Sequence, residues 1–232
     1  VVHWLYLKCS EQELAVGSQR ICDAYQEAPT LYAQGIRTIC VDKKAGMQAL
    51  ERNAPDLTLQ VGSPEKHEVE YTRHGTQGLI ANWDVVEGKC IAPSLGETRT
   101  EKDFQQRIQQ TVEAEAEVLQ WRFIAHNLNT HCSETLVKYV ATFENTKPEE
   151  LGEKGKEGIL KIKKHVQNIL AIRNTKLVLF IPLNTALVGT PMRLNQIEIF
   201  FGILHKKAIK RANFTSKEDL KDKILKLIEY YP

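Results

Sequence analysis

A chain of 232 residues with 42% hydrophobic and 26% charged residues is long enough for one substantial core and has the composition of an ordinary soluble globular protein. The formal net charge of +2 excludes a uniformly basic nucleic-acid binder, so any basic surface must be local. The five cysteines, Cys9, Cys22, Cys40, Cys90 and Cys132, are odd in number and lack metal-clip spacing, which predicts buried, reduced thiols in a cytoplasmic protein rather than a disulfide framework.

No apolar stretch approaches membrane-spanning length; the best, Leu177 to Leu183, is strand-sized, so no membrane partner is expected. The opening at Val1 rather than Met predicts a fragment or a processed product.

Taken in chain order, Ser10 to about Tyr25 reads as an amphipathic helix ended by Glu27-Ala28-Pro29, because proline disfavours helix in the residue before it. Ile36 to Val41 is a β-branched strand closed by Gly46, and Val69 to Thr72 alternates as a half-exposed strand does. Leu79 to Val86 follows, with Glu87-Gly88 as a turn and Lys89 to Ala92 as its continuation or partner. Thr100-Glu101-Lys102-Asp103 reads as a capping box that opens a helix with Phe104, Ile108 and Val112 on one face. Trp121 to Ala125 is the next strand, and Ser133 caps a helix carrying Leu136, Val137 and Val140. Asn145 to Gly158 has no period and reads as a loop or flap. A basic helix, Lys161 to Ala171, precedes the strand Leu177 to Ile181. A long helix from about Leu194 to Arg211 follows, and Thr215 or Ser216 caps a last helix reaching Tyr230. Early consecutive strands followed by strands alternating with helices predict an α/β fold, a mixed sheet covered by helices.

Three features carry chemistry. Asp42 directly follows the apolar Thr38-Ile39-Cys40-Val41, where a carboxylate is costly unless it is paired or binds a metal; alone it reads equally well as the cap of a turn. Glu198 lies three residues from Asn195 on the edge of the stripe Leu194, Ile197, Phe201, Leu204 and Ala208. The same helix ends in His205, Lys206, Lys207, Lys210 and Arg211, which is a favourable charge at a helix C-terminus and also a candidate phosphate-contacting rim. Third, the strand through Ala125 ends in the polar cluster His126-Asn127-Leu128-Asn129-Thr130-His131. Zinc from His126, His131 and Cys132 lacks a second ligand pair of suitable spacing.

Together these residues resemble the mariner-like superfamily of DDE transposases, and in particular its bacterial insertion-sequence branch. The matching segments are Ile39 to Asp42, Gly46 to Arg52, Tyr71 to Gln77, Leu79 to Val85, Asn127 to His131, Leu194 to Ile199, Phe214 to Ser216 and Asp219-Leu220. The resemblance implies an RNase-H-like fold with a mixed five-stranded sheet flanked by helices, residues 36–232 forming the catalytic domain behind an N-terminal helical linker, 1–35. It implies a metal-dependent endonuclease and strand transferase acting in DNA transposition and integration. The expected partners are transposon ends and target DNA, engaged as a homodimer. Asp42 and Glu198 match the first and third acidic ligands of a two-ion Mg²⁺ or Mn²⁺ site, and His126 stands where the second aspartate is expected. Asn195, Lys206, Lys207, Lys210 and Arg211 are the expected DNA contacts. Lys43 replaces a usual acidic residue, and Leu187 to Arg193 departs from the family's segment before Leu194. These departures, His126 above all, predict impaired catalysis; the alternative is a catalytically inactive DNA-binding remnant.

Overall fold

The computed structural model describes residues 11–96, 100–126, 134–143, 153–154, 160–161, 179–183 and 195–230, with only the backbone described at some of them. Its centre is a mixed sheet of five strands, β1 (Ile36–Arg52), β2 (Tyr71–Asp84), β3 (Cys90–Gly96), β4 (Gln120–His126) and β7 (Leu179–Leu183), in the order β3-β2-β1-β4-β7. Side chains are described on the first four; β7 is described as backbone only. β1, β2 and β3 form an antiparallel meander, whereas β4 runs parallel to both β1 and β7. A separate two-stranded ladder pairs β5 (Glu153–Lys154) with β6 (Leu160–Lys161), inside and just beyond the stretch expected to be a loop.

Both faces of the sheet are covered, so β1 reads as a continuous buried run from Thr38 to Asp42 rather than an alternating one. Strand alternation sends Ile39 and Val41 to one side, against Phe104, Ile108 and Val112 of α2 (Glu101–Ala114) and Leu136, Val137 and Val140 of α3 (Glu134–Phe143). Cys40 goes to the other side. There it meets Ile21 and Ala24 of α1 (Glu11–Ala33), Ile197, Phe200 and Phe201 of α4 (Ile197–Leu204) and Leu220, Ile224 and Ile228 of α5 (Lys217–Tyr230). The caps are those expected: the Thr100 hydroxyl accepts from Asp103 N–H at 3.3 Å, with the reciprocal bond closing a capping box. Ser216 Oγ accepts from Asp219 N–H at 3.0 Å to open α5.

Three boundaries differ from the sequence expectation. Helix α1 continues through Pro29 to Ala33, because Ala24 and Ala28 are fully packed beneath it and that burial outweighs the backbone bond the proline removes. The turn that follows it closes at Gly35, whose φ of +78° suits glycine. Gly46 does not close β1. It sits at φ +69° in a bulge between Lys44 and Met47, and the strand runs on to Arg52. The bulge inverts the alternation, so Met47 and Ala49 rejoin the core that Cys40 faces. The expected single helix 194–211 is α4 followed by a π-helical turn, His205–Ile209, closed by Lys210 N–H to His205 O at 2.8 Å. No described helix is long and apolar enough to cross a membrane. The basic helix expected from Lys161, and residues 127–133 and 184–194, lie wholly or almost wholly outside the described residues.

Candidate active site and basic groove

The register of β1 against β4 locates the two strand-end positions. Cys40 lies opposite Ile124 and Val41 opposite Ala125 in a parallel ladder. Asp42 and His126 are the next residues of these two strands, so their backbones stand side by side at the same sheet end. Of His126 only the backbone is described.

Asp42 is 5% exposed and shares the Cys40 face, the face that α4 covers. Its Oδ1 accepts the Lys43 N–H at 2.7 Å. Lys43, the basic residue in place of an expected acid, points to the opposite face, its Nζ 5.6 Å from the Phe104 ring centre. Adjacent in sequence, the two charges are separated by the sheet. Lys44 is the lysine on Asp42's side, 5.6 Å over the ring of Phe201.

Glu198 is half-buried in the first turn of α4, its N–H donating to Asn195 O at 3.0 Å. This turn has no side-chain cap of its own. The Gln196 N–H instead donates to Tyr25 Oη at 3.3 Å, and the same oxygen lies 3.3 Å from Cys40 Sγ. Burial pushes the Cys40 thiol up to about 12, against the opposing pull of Tyr25 and of the Gln196 and Ile197 N–H groups. It is an unreactive thiol. Burial likewise pushes Cys90 up to about 12, and Cys22, Cys40 and Cys90 are all free.

Asn195 was expected at a DNA surface. It is fully buried, Oδ1 accepting the Ile197 N–H at 3.4 Å and Nδ2 without a partner, so it faces the interior and does not reach a phosphate here. Lys206, Lys207, Lys210 and Arg211 are all exposed or half-exposed, as a phosphate rim requires. Lys210 and Arg211 line a cleft of about 630 Å³ together with Arg52, His67 and Asn213. Asp56 also lines it; its carboxylate accepts the Glu68 N–H at 2.8 Å and meets His67 at 2.9 Å, which holds it below the usual carboxylate range. A second cleft of about 340 Å³ is lined by Lys44, Gln48, His205 and Ile209. Arg52 and Lys210 line both, so the two join into one basic groove that starts at Lys44, two residues from Asp42. Lys44 and Arg52 were not singled out from the sequence as groove residues, whereas His205 belongs to the basic helix end that was. The available signal was Gly46: read as a bulge, it continues the strand and carries Arg52 towards the basic helix end.

Among the described residues no three His, Cys, Asp or Glu side chains cluster as a metal site. The other buried strand carboxylate, Asp84, is engaged at the far end of the sheet by Arg37 at 2.9 Å.

Neither a protein-family model nor a curated protein sequence matches the chain. Among solved structures, the Mos1 transposase paired-end complex with left transposon end matches over 100% of this chain with a TM-score of 0.51 at 16% identity. The fold is that of the Mos1 transposase. The catalytic domain of Mos1 mariner transposase matches 98% of this chain and 85% of that one, with 14% identity and a TM-score of 0.49. The Mos1 paired-end complex with Mg matches 99%, with a TM-score of 0.48 at 16% identity. The chain spans 58% of the Mos1 chain in the paired-end complexes. The mixed, helix-flanked sheet is thus the RNase-H-like arrangement expected from the sequence.

Proposed function

We propose that this chain is the catalytic domain of a DDE-type transposase, nearest the bacterial insertion-sequence branch. In this reading it binds transposon ends and target DNA as a homodimer, and its cleavage and strand transfer are impaired by His126. Residues 36–232 form the catalytic unit, with α1 packed against it as support. The observation that carries this reading is the parallel register of β1 and β4. It stands Asp42 beside position 126 on the sheet end that the start of α4 covers. Mos1, whose fold the chain shares, has been seen in complex with transposon-end DNA, which supports the choice of partner.

The donor set decides how far the metal reading extends. Asp42 and Glu198 offer hard carboxylate oxygens of the kind Mg²⁺ and Mn²⁺ prefer. Position 126 offers an imidazole nitrogen without negative charge, which Mn²⁺ tolerates and Mg²⁺ disfavours. The set therefore fits one divalent ion held by Asp42 and Glu198, and does not fit the two-ion clamp. A divalent ion, when bound, neutralises charge on the phosphate under attack. The chain's own contribution is to align the DNA: Lys44, Arg52, Lys210 and Arg211 line or rim a groove leading away from Asp42 and can neutralise successive phosphates. Lys206 and Lys207 extend that surface along the π-helical turn.

A nicking assay on supercoiled plasmid in Mn²⁺ tests the reading. The natural chain is expected to cut at a small fraction of the rate of His126→Asp, which restores the missing charge, while both bind duplex DNA equally. Vigorous Mg²⁺-supported cutting by the natural chain contradicts the impairment. A second reading, a DNA-binding remnant without cleavage, is favoured by His126 itself. It is the better one if His126→Asp gains nothing and DNA binding persists.

A further inference from the structure

We propose that Tyr25 and Cys40 are positioning residues that dock the first turn of α4 on β1 and so set where Glu198 stands relative to Asp42. The proposal rests on the reading of Asp42 and Glu198 as a cation site. A helix start leaves several N–H groups unpaired, and α4 supplies no side-chain cap from within. The partners come from outside: Tyr25 Oη accepts the Gln196 N–H, and the Gln196 and Ile197 N–H groups also bear on the Cys40 sulfur. Tyr25 and Cys40 close the triangle at 3.3 Å. One hydroxyl thus joins α1, β1 and α4, with Cys40 fully buried and Tyr25 and Gln196 partly so.

The spacing gives the junction its consequence. Cys40 lies two residues before Asp42 on the same face of β1, and Gln196 lies two residues before Glu198 on α4. Each carboxylate is therefore two residues from the same fixed point. Among the described side-chain bonds to this turn, that from Asn195 Oδ1 to Ile197 N–H is the longer at 3.4 Å, and Asn195 Nδ2 has no partner. Loss of the Tyr25 hydroxyl leaves an aromatic ring of the same shape, so packing persists while the tie is cut.

Two measurements on Tyr25→Phe separate the parts of this proposal. Hydrogen exchange at Gln196, Ile197 and Glu198 is expected to accelerate about tenfold, the effect of losing one buried hydrogen bond, with the rest of the sheet still protected. Mn²⁺ affinity, followed by the paramagnetic resonance of the free ion, is expected to fall about fivefold, a modest displacement of one ligand. Cys40→Ala is expected to reproduce both effects and Cys40→Ser, which keeps a polar atom for the N–H groups, to restore them. This second pair carries the test if Tyr25→Phe does not fold. Unchanged exchange in the first turn of α4 overturns the docking role. Faster exchange with unchanged Mn²⁺ affinity overturns the claim that docking sets Glu198. Mn²⁺ binding that Asp42→Asn leaves intact instead overturns the cation-site reading beneath it.

Discussion

Two buried carboxylates in apolar surroundings, Asp84 on β2 opposite the start of β1 and Asp42 within β1, are built for different purposes. Asp84 lies opposite Ile39 on β2, fully buried, and is saturated: Arg37 at 2.9 Å, Val86 N–H at 2.8 Å and Glu87 N–H at 2.9 Å all address it. Arg37 in turn reaches Glu87 and Glu115, stacks 4.4 Å over the Tyr32 ring, and shares Glu115 with Lys89. This is a closed network with no ligand position to spare. Asp42, three residues further along β1, sits beside the His126 backbone on the face that α4 covers, on the side where the basic groove begins. The residue type is the same and so is the sheet. Place on the sheet separates a carboxylate that braces a turn from the one that stands at the candidate site.

The sharpest way to break this comparison is to neutralise each carboxylate in turn. Asp84→Ala leaves Arg37 without its most buried partner and is expected to cost about 3 kcal/mol in urea unfolding. It leaves Mn²⁺ affinity unchanged. Asp42→Asn is expected to do the reverse, abolishing Mn²⁺ binding while the fold loses nothing or gains about 1 kcal/mol, since ligand-ready carboxylates are held at the expense of stability. If Asp42→Asn unfolds the chain and Asp84→Ala does not, the two roles have been assigned the wrong way round.

This pair of residues also shows where the sequence was legible. Both aspartates follow apolar runs and look alike on paper, and only the register and the arginine on the matching face separate them. The elements whose physics is local were readable: the Thr100 capping box, the Phe104, Ile108 and Val112 stripe, and the Ser216 cap of a last helix that reaches Tyr230. What escaped was set by tertiary packing. Pro29 stays helical because the sheet holds Ala24 and Ala28 beneath it, and Gly46 bends β1 instead of ending it. Lys43 was compared by residue type when its face mattered more, and Asn195, placed on a helix edge by spacing, is inside. Tyr25 carries no signal in the sequence, since its partners are 15 and 171 residues away.

A smaller effect tests the groove that belongs to the Asp42 end. Lys210→Ala and Arg52→Ala are each expected to lower the slope of log affinity for duplex DNA against log salt by about 1, as befits one phosphate contact apiece. Lys89→Ala, a cation of the closed network at the other end, is expected to leave the slope alone. Fluorescence anisotropy across a salt series reads all three. A change at Lys89 equal to that at Lys210 means that binding follows net charge and that the groove has no special place in it.

The smallest effect belongs to the Arg37 end and appears only in acid. Burial raises the Glu87 carboxyl, but hydrogen bonds from Lys89, Tyr32 and Arg37 outweigh it and hold the group at about 2, below its ordinary 4.5. A carboxylate whose pKa is lower in the folded than in the unfolded chain stabilises the fold fully above the unfolded value. That contribution is lost as pH falls through the folded one. Between pH 4.5 and about 2 the unfolded chain takes up the Glu87 proton first, so the melting temperature falls across that window. Other carboxylates titrate there too, and Glu87 is partly open to solvent, so the decisive quantity is a difference: Glu87→Gln is expected to melt lower at neutral pH and to converge on the natural chain as pH approaches 2. Parallel melting curves for the two proteins down the whole series mean that the network's charges do not stabilise the fold. Asp84 is then held by Arg37 and its turn amides alone.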